Sequence, residues 1–514
     1  MNPVDLLVIG AGPAGLAAAI RFKQKNKGAA VVVVDKAFKP GAHTLSGAVF
    51  EAACLDELVP GWRESPDSFF AQMMPVVKDE MYFLTTKAAR RIPTALVPAG
   101  MHHAGEHLVP LGKMVEWLGK VAAGLGVEVY TGFSARELIW EQDVVKGVKL
   151  VDQGLGHDGR PKANFMAGET ILAKVTVLAD GGRGVLSRKY ARKVGGNQNP
   201  QVYSIGVKEL LRVPPANGFG EGRAVHTLGF PSRPDVFGGG FVYSMGKDLV
   251  AVGLILGLDW PYTDLDPQQE LEIYKTHPLI AGFLKDGVVI EGGAKAIPEG
   301  GFFALPALSG PGVILAGDAA GFVNMEKIKG IHYAILSGIA ASDAVSAGDL
   351  SLYKANLEAR GVMRDMYHAR NFRAVFQAGL FIGAPLSMVQ ALWPLRIGMH
   401  QDHTATRSGA ALKRDHTGGL DRVGLAALSG TMHREDEPSH LTIPDTNLCR
   451  RCQKDFNSPC TRFCPVEVYR RKGDLVHISA SNCVHCGSCV VKCPLANIVW
   501  APPEGGEGPR YKMM

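Results

Sequence analysis

The chain opens with Leu6-Leu7-Val8-Ile9-Gly10-Ala11-Gly12-Pro13-Ala14-Gly15. Four apolar residues are too few for a helix, so they predict a buried strand, and a helical pattern follows over residues 16–25. Residues 31–34 predict a second buried strand that ends in Asp35, twenty residues after Gly15. Strand, glycine turn, helix, strand and acid in this order predict a dinucleotide-binding βαβ unit.

Each glycine of this motif has a physical reason. Gly10 makes the tight turn, Gly12 lets the backbone approach a pyrophosphate, and Gly15 lets the helix meet the sheet. The helix N-terminus would face the phosphates, and the Asp35 carboxylate would accept hydrogen bonds from a ribose. The candidate cofactor-binding residues of this unit are Gly10, Gly12, Pro13, Ala14, Gly15, Asp35 and Lys36.

Two later segments favour FAD over NAD. Residues 175–183 form a buried strand pattern that runs into Asp180-Gly181, and residues 313–321 repeat the design around Gly317-Asp318 and then enter a helix. Both are similar to motifs of the large FAD family that includes glutathione reductase. That resemblance implies that Asp318 binds the ribityl chain and that the following helix presents its N-terminus to the flavin. Two ordinary strand-turn-helix corners are the alternative.

Eight of the nine cysteines lie in two runs near the C-terminus, each closed by Cys-Pro. The run Cys483-x2-Cys486-x2-Cys489-x3-Cys493 has the spacing of a bacterial [4Fe-4S] ferredoxin, in which the last cysteine of a run ligates the neighbouring cluster. Zinc and disulfides are alternatives, although zinc usually takes two separated Cys-x2-Cys pairs. The spacing predicts two clusters, one on Cys464, Cys483, Cys486 and Cys489 and the other on Cys449, Cys452, Cys460 and Cys493.

The composition is that of a globular protein. A chain of 514 residues with 46% hydrophobic and 20% charged residues is expected to form two or three packed units. The net charge of +6 is modest, and without a long basic run it does not indicate nucleic acid; an acidic protein partner and an anionic lipid fit equally well. A strand pattern that begins by Val4 leaves no room for a signal peptide, and thiolate clusters need a reducing compartment. We therefore expect the cytoplasm or its membrane face.

Seven segments of unrelated chemistry follow one another along the chain: Gly41-Ala42-His43-Thr44-Leu45-Ser46-Gly47, then residues 203–210, 226–231, 237–241, 327–332, 427–431 and 482–486. Together they resemble the electron transfer flavoprotein:quinone oxidoreductase family over nearly the whole chain. The resemblance implies a respiratory-chain enzyme at the membrane surface. Such an enzyme takes electrons singly from reduced electron transfer flavoprotein and delivers them through [4Fe-4S] clusters and FAD to ubiquinone or menaquinone.

The resemblance also implies roles for individual residues. Gly238 and Gly239 match paired glycines of the quinone pocket, and Cys464, Cys483, Cys486 and Cys489 match the single cluster of the family. Apart from the resemblance, Lys329 is expected to lie beside the flavin pyrimidine and to favour its anionic reduced form; a solvated lysine at the start of a helix is the alternative. Electron transfer needs no acid-base or nucleophilic catalyst, and none is expected. Further cofactor-binding candidates are His43, Leu45, Ser46, Gly47, Lys329 and Gly330.

The cysteine pattern departs from the mitochondrial form of this family. That form lacks the equivalents of Cys449, Cys452 and Cys460 and has another residue in place of Cys493. The tail is more similar to the two-cluster ferredoxin subunits of bacterial quinone-linked flavoprotein complexes, fused here to the flavoprotein. The departure leaves open whether there are one or two clusters and whether the donor flavoprotein is a bifurcating one.

Residues 374–395 contain no charged side chain, and this stretch is long enough for a bilayer span. Gly379, Gly383 and Pro385 interrupt the stretch, and a broken helix would expose backbone polar groups to lipid. We expect a shallow, monotopic insertion with Trp393 and Arg396 at the interface; a span and a plain core helix are the alternatives. The apolar residues 92–99 would join it to form a quinone entrance.

The predicted fold class is α/β with α+β parts: a Rossmann-like FAD domain of the glutathione reductase type, a sheet-rich quinone domain and a C-terminal ferredoxin-like iron-sulfur domain. The FAD domain is assigned to residues 1–50, 105–190 and 300–360, and the quinone domain to 51–104 and 191–299. Residues 361–400 are assigned to the membrane-associating segment, 401–437 to a linker and 438–514 to the cluster domain. Two other functions stay open, an FAD-dependent geranylgeranyl (isoprenoid) reductase and an electron-relay subunit of a bifurcating flavoprotein complex.

Overall fold

A computed structural model describes residues 3–47, 49–64, 69, 73–414 and 418–514. The strands, numbered in chain order, are β1 (Val4–Ile9), β2 (Val31–Asp35), β3 (Val49–Phe50), β4 (Met74–Pro75), β5 (Lys78–Leu84), β6 (Ala89–Arg91), β7 (His107–Leu108), β8 (Glu128–Thr131), β9 (Ala135–Glu141), β10 (Val144–Leu150), β11 (Gln153–Leu155), β12 (Pro161–Met166), β13 (Thr170–Leu178), β14 (Tyr203–Arg212), β15 (Arg223–Gly229), β16 (Gly238–Ser244), β17 (Leu249–Gly257), β18 (Val288–Pro298), β19 (Ser309–Gly310), β20 (Val313–Leu315), β21 (Leu441–Thr442), β22 (Tyr469–Lys472), β23 (Leu475–Ile478) and β24 (Val499–Trp500).

The α-helices are numbered in the same way. They are α1 (Pro13–Lys25), α2 (Ala53–Leu58), α3 (Leu111–Gly124), α4 (Val185–Val194), α5 (Pro267–Lys275), α6 (Pro278–Phe283), α7 (Ile331–Ser346), α8 (Leu352–Ala359), α9 (Val362–His368), α10 (Phe372–Val375), α11 (Leu380–Val389), α12 (Arg422–Leu428), α13 (Thr446–Phe456), α14 (Cys460–Phe463) and α15 (Ser488–Lys492).

The first sheet has a parallel centre in the order β8-β2-β1-β13-β20. Strand β1 pairs with β2 on one side and with β13 on the other, so its residues 6–9 are buried on both faces, as central parallel strands usually are. β1, α1 and β2 follow one another without interruption, which confirms the predicted βαβ unit.

Glycines bring helices α1 and α7 into close contact. A Cβ atom on Gly338 would lie 2.2 Å from the carbonyl oxygen of Ala14, and one on Gly15 would lie 1.9 Å from the carbonyl oxygen of Gly10. No larger side chain fits at either place. The middle of α7 therefore packs directly against the first turn of α1, and that turn lies on the Gly10 carbonyl after β1.

The second sheet has the order β18-β14-β17-β16-β15-β5-β6 and is antiparallel except between β15 and β5. Its register places Lys295, Gly206, Ile255 and Gly239 side by side across four strands. Helix α5 covers the opposite face, where Tyr274 leaves no room for a side chain at Gly240. The row from Lys295 to Gly239 therefore faces the first sheet.

The C-terminal segment contains only short elements. Strands β21 and β24 form one pair and β22 and β23 another, between the helices α13, α14 and α15. Its apolar side chains share one core with the second sheet, and the amide of Ala296 in β18 donates to the carbonyl of Cys486 at 3.2 Å. At the chain end, the amide of Tyr511 donates to Ala42 O at 3.0 Å. The segment thus packs against the second sheet and against the loop that follows β2.

Residues 401–437, expected to be a polar linker, are packed in their described part. Asp402 is buried and accepts a hydrogen bond from the amide of Tyr203 at 2.9 Å, and Arg414 donates to Glu270 at 2.5 Å. Leu425 of α12 is buried against Gly292 of β18. The sequence pattern did not show this because the partners of the polar side chains lie more than a hundred residues away.

The segment of residues 361–400 forms helices α9, α10 and α11 with short 3₁₀ turns, and Pro385 lies inside α11. Within the described part of the chain, none of the helices has both the length and the apolar character that a bilayer crossing requires.

A glycine substitution tests the packing beneath the first turn of α1. Gly15→Ala is expected to lower the free energy of unfolding by about 3 kcal/mol, because its methyl group would overlap the Gly10 carbonyl. Gly124→Ala, at the end of α3 with no atom within 4 Å of the added carbon, is the control and should be neutral or stabilising by up to about 1 kcal/mol. Equal denaturation midpoints for the two variants would contradict this packing.

Candidate flavin and iron-sulfur sites

A cavity of about 370 Å³ lies between the two sheets and the C-terminal segment. Fifteen of the seventeen predicted cofactor-binding residues line it; the other two, Gly15 and Gly317, lie directly behind the wall. The residues in the wall are Gly10, Gly12, Pro13, Ala14, Asp35, Lys36, His43, Leu45, Ser46, Gly47, Asp180, Gly181, Asp318, Lys329 and Gly330.

The glycine turn has the shape of an anion cradle. Gly10 has φ +108° and a Cβ there would lie 2.3 Å from the carbonyl of Ala179, whereas nothing lies within 4 Å of a Cβ on Gly12. Gly12 is the N-cap residue of α1 and offers no side chain to the first-turn amides. These amides therefore point into open space, where a pyrophosphate can accept their hydrogen bonds.

Two of the predicted acids hold the backbone around the cavity. Asp35 accepts hydrogen bonds from the amides of Ala11 at 2.6 Å and Ala37 at 2.7 Å, and Asp180 accepts from the amide of Leu186 at 2.9 Å. Burial raises the pKa of both carboxyls. One oxygen of Asp180 is buried without a partner, which fits a missing ligand hydroxyl.

The segment after Gly317-Asp318 differs from the expectation. The sequence predicted a helix directly after this motif, but a 3₁₀ turn covers Gly317–Ala319 and α7 begins only at Ile331. Gly321 has φ +91°, which ends the turn. The N-terminus of α7 still reaches the cavity through Gly330 and Ile331, and burial raises the pKa of Asp318 to about 6.

Lys329 is buried in the cavity wall between two carboxylates. Its Nζ lies 3.1 Å from Glu51 Oε1 and contacts Glu106 Oε1. The other carboxylate oxygen of Glu106, Oε2, lies 3.2 Å from His103 Nδ1. The charge of Lys329 is therefore more than balanced by its neighbours, a feature that the sequence did not reveal.

Several lining residues were missed by the sequence reasoning. Lys295 of β18 reaches the cavity and lies 3.4 Å from the carbonyl of His43, and burial lowers its pKa. The sequence feature that could have identified Lys295 is a single lysine among the small and apolar residues at the end of a predicted strand. Other lining residues that were missed include Arg183, Arg188, Phe241, Tyr243 and Ile255, and from the C-terminal segment His485, Gly487, Val490, Trp500 and Pro502.

The two predicted quinone-site glycines lie at the start of β16. A Cβ on Gly238 would meet Ile255 O at 1.9 Å, and one on Gly239 would meet Thr227 O at 2.5 Å, so both positions require glycine. Neither lines the flavin cavity, but Phe241 and Tyr243 farther along the strand do. The glycines thus lie at the outer end of a wall of the cavity.

The first cysteine set, Cys464, Cys483, Cys486 and Cys489, is buried beside the second sheet. The amides of Val468 and His485 donate to Cys464 Sγ and Cys483 Sγ, each at 3.4 Å. Burial is the main cause that raises the pKa of the Cys464, Cys483 and Cys489 thiols, and the neighbouring Cys486 sulfur is the second cause. The pKa of Cys489 rises to about 12.

The second set, Cys449, Cys452, Cys460 and Cys493, lines one small cavity of its own. The backbone amide of Asn497 donates to Cys493 Sγ at 3.3 Å, and its side-chain Nδ2 donates to Cys449 Sγ at 3.5 Å. Burial raises the pKa of Cys452 to about 12, and the nearby sulfurs of Cys493 and Cys449 add to the effect. The structure therefore groups the eight cysteines in the division that the sequence predicted.

These donor sets fit metal clusters. All nine cysteines are free thiols, which argues against the disulfide alternative. Buried thiols of raised pKa ionise only when a positive charge compensates them, and iron does so in a [4Fe-4S] cluster. Each set brings four cysteines together, the number of ligands that such a cluster needs.

The first set adjoins the flavin cavity. His485, Gly487 and Val490, from the loop and helix that carry Cys486 and Cys489, line the cavity directly. A Cβ on Gly487 would lie 2.8 Å from Arg183 Cγ, so this loop packs closely against the cavity wall. A cluster held here would lie next to a flavin bound in the cavity, and fold and sites together define an iron-sulfur flavoprotein oxidoreductase.

Comparison with known proteins specifies the family. Family models match residues 5–82 as an FAD-binding domain, 203–297 as the ubiquinone-binding part and 418–512 as the 4Fe-4S part of electron transfer flavoprotein-ubiquinone oxidoreductase. The human mitochondrial enzyme of that name is 38% identical, with 99% of this chain and 89% of the relative covered. A probable electron transfer flavoprotein-ubiquinone oxidoreductase from Acinetobacter baylyi is 35% identical, with 99% of this chain and 98% of the relative covered. The chain belongs to the electron transfer flavoprotein-ubiquinone oxidoreductase family.

Solved structures agree with the fold. A geranylgeranyl bacteriochlorophyll reductase-like protein from Thermoplasma acidophilum superposes with a TM-score of 0.54 at 18% identity, over 77% of this chain and 97% of its own. The flavin-dependent brominase Bmp2 gives a TM-score of 0.52 at 17% identity, over 75% and 90% of the two chains. At these identities the likeness concerns the fold alone.

Lys329→Ala tests the electrostatics of the cavity wall. The variant is expected to lower the flavin midpoint potential by about 30 mV, roughly 1.4 kcal/mol for two electrons, because Glu51 and Glu106 lose their cation next to a reduced flavin. Glu106→Gln is the matched control and should shift the midpoint upward. A potentiometric titration that shows no shift for Lys329→Ala would discard this role.

Proposed function

We propose that this protein oxidises reduced electron transfer flavoprotein and reduces quinone, as the names of its relatives indicate for them. One observation carries the proposal: the loop of the first cysteine set forms part of the same cavity wall as the glycine turn of the FAD-binding fold. A cluster and a flavin held there would be close neighbours. Bound FAD exchanges one electron or two, whereas each cluster carries one at a time.

The residues of the chain position these groups and shield them. The glycine turn and Asp35 would hold the nucleotide end of FAD, Asp318 and Gly330 would hold its ribityl chain, and Lys329 would set the charge beside the ring. The apolar lining residues Phe241 and Ile255 would help to exclude water from the cavity. We assign no acid-base catalyst, since positioning and electron transfer suffice for this chemistry.

The proposed domains follow the boundaries expected from the sequence. Residues 1–50, 105–190 and 300–360 would form an FAD domain of the glutathione reductase type, and 51–104 with 191–299 the quinone domain. The strands of the second sheet come from residues 78–91 and 203–298, which supports this division. Residues 438–514 would form the ferredoxin-like domain.

An exposed apolar surface supports contact with a membrane. It lies on α11, on the turn after it and on the segment of residues 92–99. Its members, with exposed fractions, are Leu96 (65%), Phe381 (66%), Ile382 (56%), Leu386 (43%), Met388 (50%), Val389 (51%), Leu392 (82%), Trp393 (55%) and Leu395 (65%). Eight of these nine residues lie within fifteen residues of chain on α11 and the turns after it, and so many exposed large apolar side chains in one short segment are unusual on a soluble monomer. We propose a monotopic attachment, with the protein at the cytoplasmic face of the cell's inner membrane.

This apolar surface also leads to the proposed quinone site. The amide of Leu380, the first residue of α11, donates to Pro234 O at 2.6 Å, in the loop before Gly238. The rings of Phe381 and Phe83 lie 6.4 Å apart, and Phe83 pairs with Leu228, next to Thr227 and Gly239. A quinone that leaves the lipid at α11 would therefore meet Gly238 and Gly239 and then the flavin cavity.

We propose two clusters, because the second cysteine set is as complete as the first. This arrangement supports a one-electron donor on the cluster side and a two-electron acceptor on the flavin side. The isoprenoid reductase and the electron-relay subunit are disfavoured, since the family match spans the whole chain and a quinone-domain sheet is present.

The decisive assay measures quinone-dependent oxidation of reduced electron transfer flavoprotein by the purified holoprotein. Turnover with ubiquinone or menaquinone analogues is expected. Reduction of an isoprenoid double bond without turnover in this assay would replace the proposal with the lipid reductase. Oxidation of the donor flavoprotein with no quinone reduction would replace it with the relay.

Replacing Phe381, Ile382 and Trp393 with asparagine tests the membrane contact. Each apolar side chain contributes about 1.5 kcal/mol when it is buried, so retention by liposomes should fall at least about a hundredfold. The matched control replaces Val77, Met166 and Val288, which are 72%, 57% and 65% exposed in other regions of the chain. Equal retention of the two triple variants would remove the membrane assignment.

A further inference from the structure

The solvent-exposed side of the C-terminal segment carries a basic surface. It consists of the exposed cations of helix α13 and of the β22–β23 hairpin, which pack together: Arg450, Arg451, Lys454, Arg470, Arg471 and Lys472. The Arg450 guanidinium on α13 lies 2.7 Å from Asp474 in the hairpin, and Arg471 of the hairpin donates to Asn457 Oδ1 at 2.6 Å. These contacts make one continuous face.

This basic surface lies directly over the second cysteine set. Arg450 and Arg451 stand in the chain between Cys449 and Cys452, and the inner sides of the same elements, Leu448 and Val476, line the cavity of that set. Cys449 and Cys460 are only partly buried. The basic surface therefore covers the second set on its solvent side.

The first set has a different position. Its four cysteines are all buried, and the loop that carries them faces the flavin cavity. Helices α14 and α15 connect the two sets, because α14 begins at Cys460 and is followed by Cys464, and α15 contains Cys489 and is followed by Cys493. The order from outside to inside is basic surface, second set, first set and flavin cavity.

The charges of the basic surface are not fully balanced. Its six cations face four acids on the same elements and turns, Asp445, Asp455, Glu467 and Asp474. The ion pairs among them are solvent-exposed; the Arg450 and Asp474 side chains, for example, are 48% and 66% exposed. Exposed pairs of this kind contribute little and re-form readily with other partners. An acidic protein face is the complementary partner.

We infer that electrons enter the protein through the second cluster, from an acidic face of reduced electron transfer flavoprotein docked on the basic surface. The inference rests on the proposed function. One electron leaves the donor flavin in each encounter and is taken up at the Cys449, Cys452, Cys460 and Cys493 site, with no bond made or broken in this chain. A cluster on the first site would then pass the electron to the flavin, and two such encounters would supply the two electrons that, with two protons from solvent, reduce one quinone to quinol.

Charge reversal tests the docking surface. The variant Arg451→Glu, Lys454→Glu and Lys472→Glu avoids Arg450, Arg470 and Arg471, whose hydrogen bonds hold the segment together. The matched control reverses Lys146, Lys174 and Lys189 on the first sheet and α4, which gives the same change in net charge. Both variants must retain the iron, FAD and dithionite-reduced spectrum of the wild type, which shows that they fold.

The measurement is the equilibrium affinity for electron transfer flavoprotein at low and at high salt. The first variant should bind about tenfold more weakly at low salt, the difference should shrink as salt screens the charges, and the control should bind like the wild type. Equal affinities of both variants would overturn the inference, whereas a wild type that fails to oxidise the donor flavoprotein would overturn the proposed function.

Rapid-freeze paramagnetic resonance supplies an independent test. The signal of the second cluster is identified as the one that is lost in the variant Cys460→Ala. After the wild type is mixed with reduced electron transfer flavoprotein, this signal should rise before the signal of the first cluster. The reverse order, or reduction of the first cluster at an unchanged rate in Cys460→Ala, would show that electrons bypass the second site.

Discussion

The exchange of cysteines between two sequence runs is the constraint on which the cluster segment depends. The first set takes three sulfurs from the run at 483–489 and its fourth from Cys464, while the second takes three from 449–460 and its fourth from Cys493. Neither set is complete until both runs are folded against each other. Since the segment has only short helices and two-stranded sheets, ligation and burial against the second sheet are its main sources of order.

Strand β18 couples that segment to the flavin cavity. Lys295 points into the cavity, while the next residue, Ala296, donates its amide to the carbonyl of Cys486. The same strand is an edge of the second sheet, whose opposite side leads through Gly239 and Phe83 to the apolar surface. One sheet thus extends from the first cysteine set past the flavin cavity to the apolar surface on α11.

The sequence was most informative where a motif is local and its geometry is strict. The βαβ unit and the division of the cysteines follow from spacing alone, because glycine turns and cluster ligands tolerate few alternatives. The helix expected directly after Gly317-Asp318 was predicted wrongly, because a 3₁₀ turn stands there and α7 begins only at Ile331. The pattern of residues 401–437 did not reveal their packing, which depends on contacts of Asp402 and Arg414 with the distant residues Tyr203 and Glu270. Lys295 and the carboxylate pair around Lys329 were missed for the same reason: their roles exist only after the sheets assemble.

The amount of iron and acid-labile sulfide per FAD in the anaerobically purified protein tests the central claim most directly. Two complete cysteine sets predict about eight iron atoms and about eight sulfides per FAD, with two interacting paramagnetic signals after reduction. About four irons with a single signal would show that the second set holds no cluster, and zinc in place of iron would contradict the account as a whole.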